Sequence, residues 1–135
     1  MPALRNYGVF ISHAWHRDEH YWRVVQWLDE APNFAWTNLS VPEHDPVSNE
    51  ALDKELRDEM RPADVFVILA GMYAARSTVI AFELKWARIL GKPIVAVRPH
   101  GNVRLPADVQ RQAKAIVGWT SASIIQAIRD HALTA

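Results

Sequence analysis

The chain has 135 residues, half of them apolar and 22% charged, and it contains no cysteine. This length suits one domain, and the composition excludes a disordered tail, a collagen-like repeat, a disulfide scaffold and a catalytic thiol. Because 15 basic residues balance 15 acidic ones, neither nucleic acid nor an anionic membrane is an expected partner.

The first third of the chain predicts two strands around one helix. Residues 7–11 form a short apolar run that is typical of a strand. Residues 18–31 follow, with apolar side chains from Tyr21 to Leu28 at the i, i+3, i+4 and i+7 positions of an amphipathic helix. A Pro-Asn pair ends this helix, and residues 34–39 are predicted as the second strand.

The middle of the chain predicts the centre of a sheet. A helix is expected from a cap at Ser48 to about Met60. Residues 64–70 read DVFVILA, a continuous apolar run that is typical of a parallel strand buried on both faces. A long helix over residues 77–90 follows, and Gly91 is its expected stop because glycine readily adopts the left-handed backbone of a helix C-cap.

The last third adds two strands and two helices. Residues 93–98 and 115–119 are predicted strands, with a short polar helix at 105–114 between them and a final helix at 121–133. Strands that alternate with helices predict an α/β fold. We expect a flavodoxin-like three-layer sandwich around a five-stranded parallel sheet in the order 2-1-3-4-5.

We expect one domain that spans residues 1–135, with its core over about residues 7–132. The N-terminal residues lack the basic region and long apolar core of a signal peptide, and no apolar run approaches membrane-spanning length. The sequence therefore predicts a cytoplasmic protein, and the missing cysteine agrees with a reducing compartment.

Ligands of such sheets bind beyond the carboxyl ends of the strands, where the strand order reverses between strands one and three. The loops at that point comprise residues 12–17 and 71–77, with 39–49 beside them. Strand one is followed by Ser12, His13 and Trp15, whose hydroxyl, imidazole and indole can orient a ligand or stack on it. Position alone equally allows a turn cap, a surface histidine and an edge-packed tryptophan.

Glu83 is the most informative residue of the sequence. It lies in the middle of the predicted helix at 77–90, and its neighbours at i−4, i−3, i+3, i+4 and i+7 are all apolar. A carboxylate on an apolar stripe is costly unless a partner satisfies it. Two explanations stay open, a functional carboxylate or one that is bonded to the backbone of a neighbouring loop. Ser77, near the start of this helix, is its expected N-cap.

Several functions are disfavoured by what the sequence lacks. No glycine-rich phosphate loop follows strand one, and no aspartate that could accept a phosphoryl group ends strand three. Residues 16–20 match the zincin pattern H-x-x-E-H. A metalloprotease also needs a long helix, a distant third ligand and a peptide cleft, so no metal site is predicted.

Three segments of the sequence resemble segments of the TIR domains, and they occur in the same order along the chain. Phe10-Ile11-Ser12-His13 with a following acidic residue resembles their first box, and STVIAFEL at residues 77–84 resembles their S-x-W-x-x-x-E-L segment. Residues 61–69 resemble the stretch that leads through their third strand. From about residue 7 to 132 the chain resembles the TIR-like domains of the Thoeris anti-phage system, of the ThsB type.

This resemblance implies an enzyme that cleaves the nicotinamide–ribose bond of NAD and releases the ADP-ribose part as a cyclic or conjugated signal in anti-phage defence. NAD is then the substrate, and no cofactor is implied. Glu83 matches the catalytic glutamate of the family. Ser12 and Ser77 match positions that line the nucleotide pocket.

The other substrate-binding candidates lie in the same loops. We expect His13 on ribose or phosphate and Trp15 or Tyr73 stacked on a base, and we include Asp45 from the neighbouring loop. The resemblance also implies a homo-oligomer and a separate effector protein that senses the product.

Two alternatives stay open. A non-enzymatic TIR-like adaptor would self-associate, and Trp22 and Trp27 lie off the main stripe of the first helix, where they form a contact surface or pack at an edge. A nucleoside deoxyribosyltransferase has a related fold and also uses a glutamate. Turnover, base exchange and mass in solution separate these three functions.

Overall fold

The computed structural model describes residues 5–12, 19–40, 49–69, 77–98 and 107–133. Five strands form one sheet in the order β2-β1-β3-β4-β5, and every neighbouring pair is parallel. The strands are β1 (Asn6–Ile11), β2 (Ala35–Asn38), β3 (Val65–Leu69), β4 (Ile94–Val97) and β5 (Ala115–Val117). The predicted α/β fold and its strand order are confirmed.

Helices connect the strands wherever the chain between them is described. They are α1 (Glu19–Glu30), α2 (Asn49–Met60), α3 (Ser77–Ile89), α4 (Ala107–Gln112) and α5 (Ser121–His131). The predicted cap of α2 at Ser48 lies outside the described residues. None of the helices within the described ranges has the length and apolar character needed to cross a membrane.

Several predicted elements end one or two residues earlier than expected, and the structure explains two of these ends. The predicted helix at 105–114 ends at Gln112, because the Lys114 N–H already donates to the carbonyl oxygen of Ile94 on the approach to β5. The predicted strand at 115–119 ends after three residues, because the chain turns there and Thr120 becomes the N-cap of α5. In both places the chain is already committed to the next element.

The two faces of the sheet bury two apolar layers, because successive side chains of a strand point to opposite faces. Val9 and Ile11 pack with buried residues of α1 and α5. Phe10, between them in β1, packs with buried residues of α2, α3 and α4. All five residues of β3 are buried, as its continuous apolar run predicts. The sheet is therefore the middle layer of a three-layer sandwich.

Gly91 ends α3 as predicted. Its φ is 69°, the Lys92 N–H donates to the Ala87 carbonyl oxygen at 2.7 Å, and the Gly91 N–H donates to that of Arg88 at 3.2 Å. This pair of bonds is the Schellman motif, which satisfies the last carbonyl groups of a helix. The turn then leads the chain directly into β4.

We expect Gly91→Ala to lower the free energy of unfolding by about 1 kcal/mol, because a side chain disfavours positive φ. A Cβ at Gly91 meets no atom within 4 Å, so backbone conformation alone carries the effect. Gly118 is the matched control, since a Cβ there also meets nothing and its φ lies outside the left-handed range. Urea unfolding measures both variants, and equal stabilities would contradict the account.

Candidate functional site

Ser12 lies at the carboxyl edge of the sheet, directly after β1. Its backbone N–H donates to the carbonyl oxygen of Val67 in β3 at 2.8 Å, so the ladder with β3 holds its position. Strand alternation places its side chain on the same face as Phe10, the face that α3 covers. The residue is fully buried. Its hydroxyl therefore points from the edge of the sheet into the layer between sheet and helix.

Glu83 enters the same layer from α3. It is only 2% exposed, and Leu84 and Ala87 beside it on the helix belong to the apolar layer that contains Phe10. The Ser12 hydroxyl donates to Glu83 Oε1 at 3.2 Å. The fold thus joins two predicted site residues that lie 71 positions apart in the sequence.

The electrostatic environment of Glu83 is unusual within this protein. Among the described residues it is the one charged side chain that is buried. Removing a carboxylate from water costs several kcal/mol even after relaxation, a cost that hydrogen bonds to the charged group offset by about 1.5–3 kcal/mol each. A carboxylate that is retained at such a cost is a functional-site candidate. The catalytic role of Glu83 stays a prediction.

Sequence reasoning missed Ser40, which lies at the same edge and is 8% exposed. The Ile11 N–H donates to the Ser40 hydroxyl oxygen at 2.7 Å. Since β2 ends at Asn38, this hydroxyl takes the place of a backbone acceptor and extends the pairing of β1. Its position directly after the predicted second strand places Ser40 at this edge, but no local pattern shows that its hydroxyl bonds to β1, and the residue predicted from that loop was Asp45.

A chain of hydrogen bonds fixes the backbone of Ser40. The Ser40 N–H donates to Asn38 Oδ1 at 2.9 Å, and Asn38 Nδ2 donates to the Tyr21 hydroxyl at 3.0 Å. Tyr21 is itself buried against α1's side of the sheet. Ser40 is therefore tied to β1 through the Ile11 N–H and to α1 through Asn38 and Tyr21.

The other predicted site residues are placed only in part. Ser77 begins α3, as expected, but its side chain lies outside the described set. The remaining candidates also lie outside the described residues, namely His13, Trp15, Asp45 and Tyr73. Their roles in substrate binding stay predictions.

No group of three histidine, aspartate or glutamate side chains that could hold a metal occurs in the part of the chain that the structure describes. Of the H-x-x-E-H pattern, the side chain of His20 is described, and its ring meets the edge of Trp119 at 5.1 Å between centroids. The other residues of the pattern, or their side chains, lie outside the described set.

The two tryptophans of α1 differ in their surroundings. Trp27 packs on the ring of Trp119 at 4.8 Å between centroids and adjoins the apolar layer of α1 and α5, so edge packing describes it better than a contact surface does. Trp22 is 43% exposed. Its ring also packs edge to face with the ring of Tyr21, at 5.0 Å between centroids.

Comparison with known proteins identifies a family and a similar fold. A family model described as Thoeris protein ThsB, TIR-like domain, matches residues 10–104, a range that contains Ser12, Ser40 and Glu83. A solved structure of Clostridium botulinum CMP N-glycosidase, BcmB, is similar with a TM-score of 0.55 and 17% sequence identity, covering 90% of this chain and 98% of that chain.

At that identity the similarity to the glycosidase concerns the fold. No match was found among curated proteins. The family match, in contrast, covers well over half of the chain and includes both residues of the buried pair. On that ground the chain belongs to the family of the Thoeris protein ThsB, TIR-like domain.

Proposed function

We propose that this protein cleaves the bond between nicotinamide and ribose in NAD. The observation that carries the proposal is the buried carboxylate of Glu83, held by the Ser12 hydroxyl at 3.2 Å at the carboxyl edge of the sheet. This edge, between β1 and β3, is where sheets of this order bind nucleotides. Membership of a TIR-like family supports the proposal.

Departure of nicotinamide requires no proton donor from the protein. Nicotinamide is attached as a pyridinium cation, so the electrons of the breaking C–N bond neutralise it, and it departs without a proton. The positive charge then develops on the ribose. A carboxylate in an apolar layer stabilises such an oxocarbenium-like transition state, as one carboxylate does in glycosidases. We assign this role to Glu83.

The final step adds an oxygen or nitrogen nucleophile to the anomeric carbon, with loss of one proton. Water yields linear ADP-ribose, a group of the same molecule yields a cyclic product, and a second molecule yields a conjugate. In this proposal the product is a signal for a separate effector protein, the chain acts as a homo-oligomer in the cytoplasm, and NAD is consumed as a substrate, with no cofactor.

A nucleoside monophosphate is the second candidate substrate, because the similar fold cited above is that of a CMP N-glycosidase. The chemistry differs at the leaving group. Cytosine departs as an anion that a proton must neutralise, so this reaction also needs an acid. Cleavage of NAD needs a carboxylate but no acid, so the pair of Ser12 and Glu83 suits NAD better than CMP.

The experiment offers the purified protein three substrates in parallel, namely NAD, CMP, and a deoxynucleoside with a free base. Nicotinamide release is the expected result. Cytosine release without nicotinamide release would show that the substrate is CMP and not NAD. Base exchange would identify a deoxyribosyltransferase. Mass in solution is measured with and without NAD, because assembly without any turnover would favour the adaptor.

A further inference from the structure

We infer that Ser40 is a further substrate-binding residue, whose hydroxyl donates a hydrogen bond to an acceptor oxygen of the bound nucleotide. The inference deepens the proposed function, on which it rests. The inference is based on the hydrogen bonds of the Ser40 hydroxyl, which is buried at the carboxyl edge of the sheet. Ser40 is not among the residues that sequence analysis placed in the site.

The oxygen of the Ser40 hydroxyl is already used as an acceptor. The Ile11 N–H donates to it at 2.7 Å, and the backbone of Ser40 is tied to Asn38. A serine hydroxyl carries one proton in addition to its lone pairs. The bond from Ile11 therefore fixes the oxygen and leaves the proton to be donated elsewhere.

Within the described ranges, no acceptor receives that proton. Ser40 is 8% exposed, so the hydroxyl is nearly removed from bulk water, and a buried donor without an acceptor costs free energy. A ligand oxygen at the carboxyl edge of the sheet would satisfy it. Because the proton is the part of the hydroxyl that lacks a partner, the ligand atom that meets it is an acceptor, such as a phosphate or ribose oxygen.

The position of Ser40 agrees with a ligand contact. Its hydroxyl oxygen lies 2.7 Å from the backbone nitrogen of Ile11, the residue that precedes Ser12. Ser12 in turn donates to Glu83. The Ser40 hydroxyl therefore bonds to the residue next to Ser12, and Ser12 holds the carboxylate to which we assign the chemistry. All of these groups lie at the edge where nucleotides bind in sheets of this order.

The test measures binding separately from turnover. In the Glu83→Gln background, NAD and CMP are titrated by calorimetry against proteins that also carry Ser40→Ala, Ser40→Thr or Thr37→Val. We expect Ser40→Ala to weaken nucleotide binding about tenfold, the size of one lost hydrogen bond of ordinary strength. Ser40→Thr should retain affinity, because it keeps the hydroxyl.

Thr37→Val is the matched control. Thr37 lies in β2, its hydroxyl bonds to Asn6 and is exposed, and removal of that hydroxyl should leave affinity unchanged. Hydrogen exchange at the Ile11 amide shows that each variant is folded, and it should accelerate in Ser40→Ala and recover in Ser40→Thr. A purely structural Ser40 would change this exchange rate without changing affinity.

The outcomes separate this inference from the proposed function. Cleavage of NAD by the parent protein with equal NAD affinity in Ser40→Ala would overturn the role of Ser40 alone. If the protein binds CMP and not NAD, and Ser40→Ala weakens that binding, the role of Ser40 is upheld and NAD is ruled out as the substrate. Binding of neither nucleotide would overturn both.

Discussion

Glu83→Gln is expected to reduce nicotinamide release from NAD by about a thousandfold, the upper range for loss of one electrostatic stabiliser of a transition state. The amide keeps the shape of the side chain and still accepts a hydrogen bond from Ser12, so the geometry of the site is retained. Only the negative charge is lost, to which we assign stabilisation of the ribose cation. The measurement is the initial rate of nicotinamide release at saturating NAD.

The matched control is Glu30→Gln, the same substitution at an exposed glutamate of α1, which should release nicotinamide at the parent rate. Thermal unfolding of Glu83→Gln should occur at the parent temperature or above it, because a buried charge has been replaced by a neutral group. Loss of activity together with loss of folding would leave Glu83 a structural residue. Equal release by parent and variant would remove it from the mechanism.

Ser12→Ala is expected to have the second largest effect. It removes the donor to Glu83 Oε1 and should lower the free energy of unfolding by about 1–3 kcal/mol, because a buried carboxylate loses one of its hydrogen bonds. The rate of NAD cleavage should fall as well, since the carboxylate is no longer held in position. Urea unfolding and initial rates measure the two effects.

A double-mutant cycle tests whether the two effects share one cause. Parent, Ser12→Ala, Glu83→Gln and the double variant are unfolded in urea, and we expect a coupling energy of about 1 kcal/mol between the two sites. The same cycle between Ser12→Ala and Glu30→Gln should be additive. Because glutamine still accepts the bond from Ser12, the cycle measures what the charge adds to that bond, and additivity in both cycles would show that the charge adds nothing.

The elements of the sheet were predictable because their signals are local. DVFVILA predicted a strand buried on both faces, and all five residues of β3 are buried. Gly91 was predicted to stop α3, and its φ of 69° and its two hydrogen bonds confirm this. Apolar periodicity, helix caps and glycine conformation depend on neighbours within a few residues, which are present in any segment of the sequence.

The contacts at the candidate site were less predictable. Apolar neighbours on α3 singled out Glu83, but they could not distinguish a bond to loop backbone from the bond to Ser12 that the structure shows. Ser40 was passed over in favour of Asp45, because no local pattern shows that a hydroxyl will replace a backbone acceptor beside β1. Likewise, Trp27 could not be assigned to edge packing until Trp119 was placed beside it.

The sequence by itself determined the order of helices and strands, the parallel sheet and the anomalous carboxylate at position 83. Only the tertiary structure decided that this carboxylate meets the hydroxyl of Ser12 and that Ser40 extends β1. The physical reason is that a hydrogen bond between distant residues depends on strand register and on the height of a helix above the sheet. Both quantities are set by packing of the whole domain, which no short window of sequence contains.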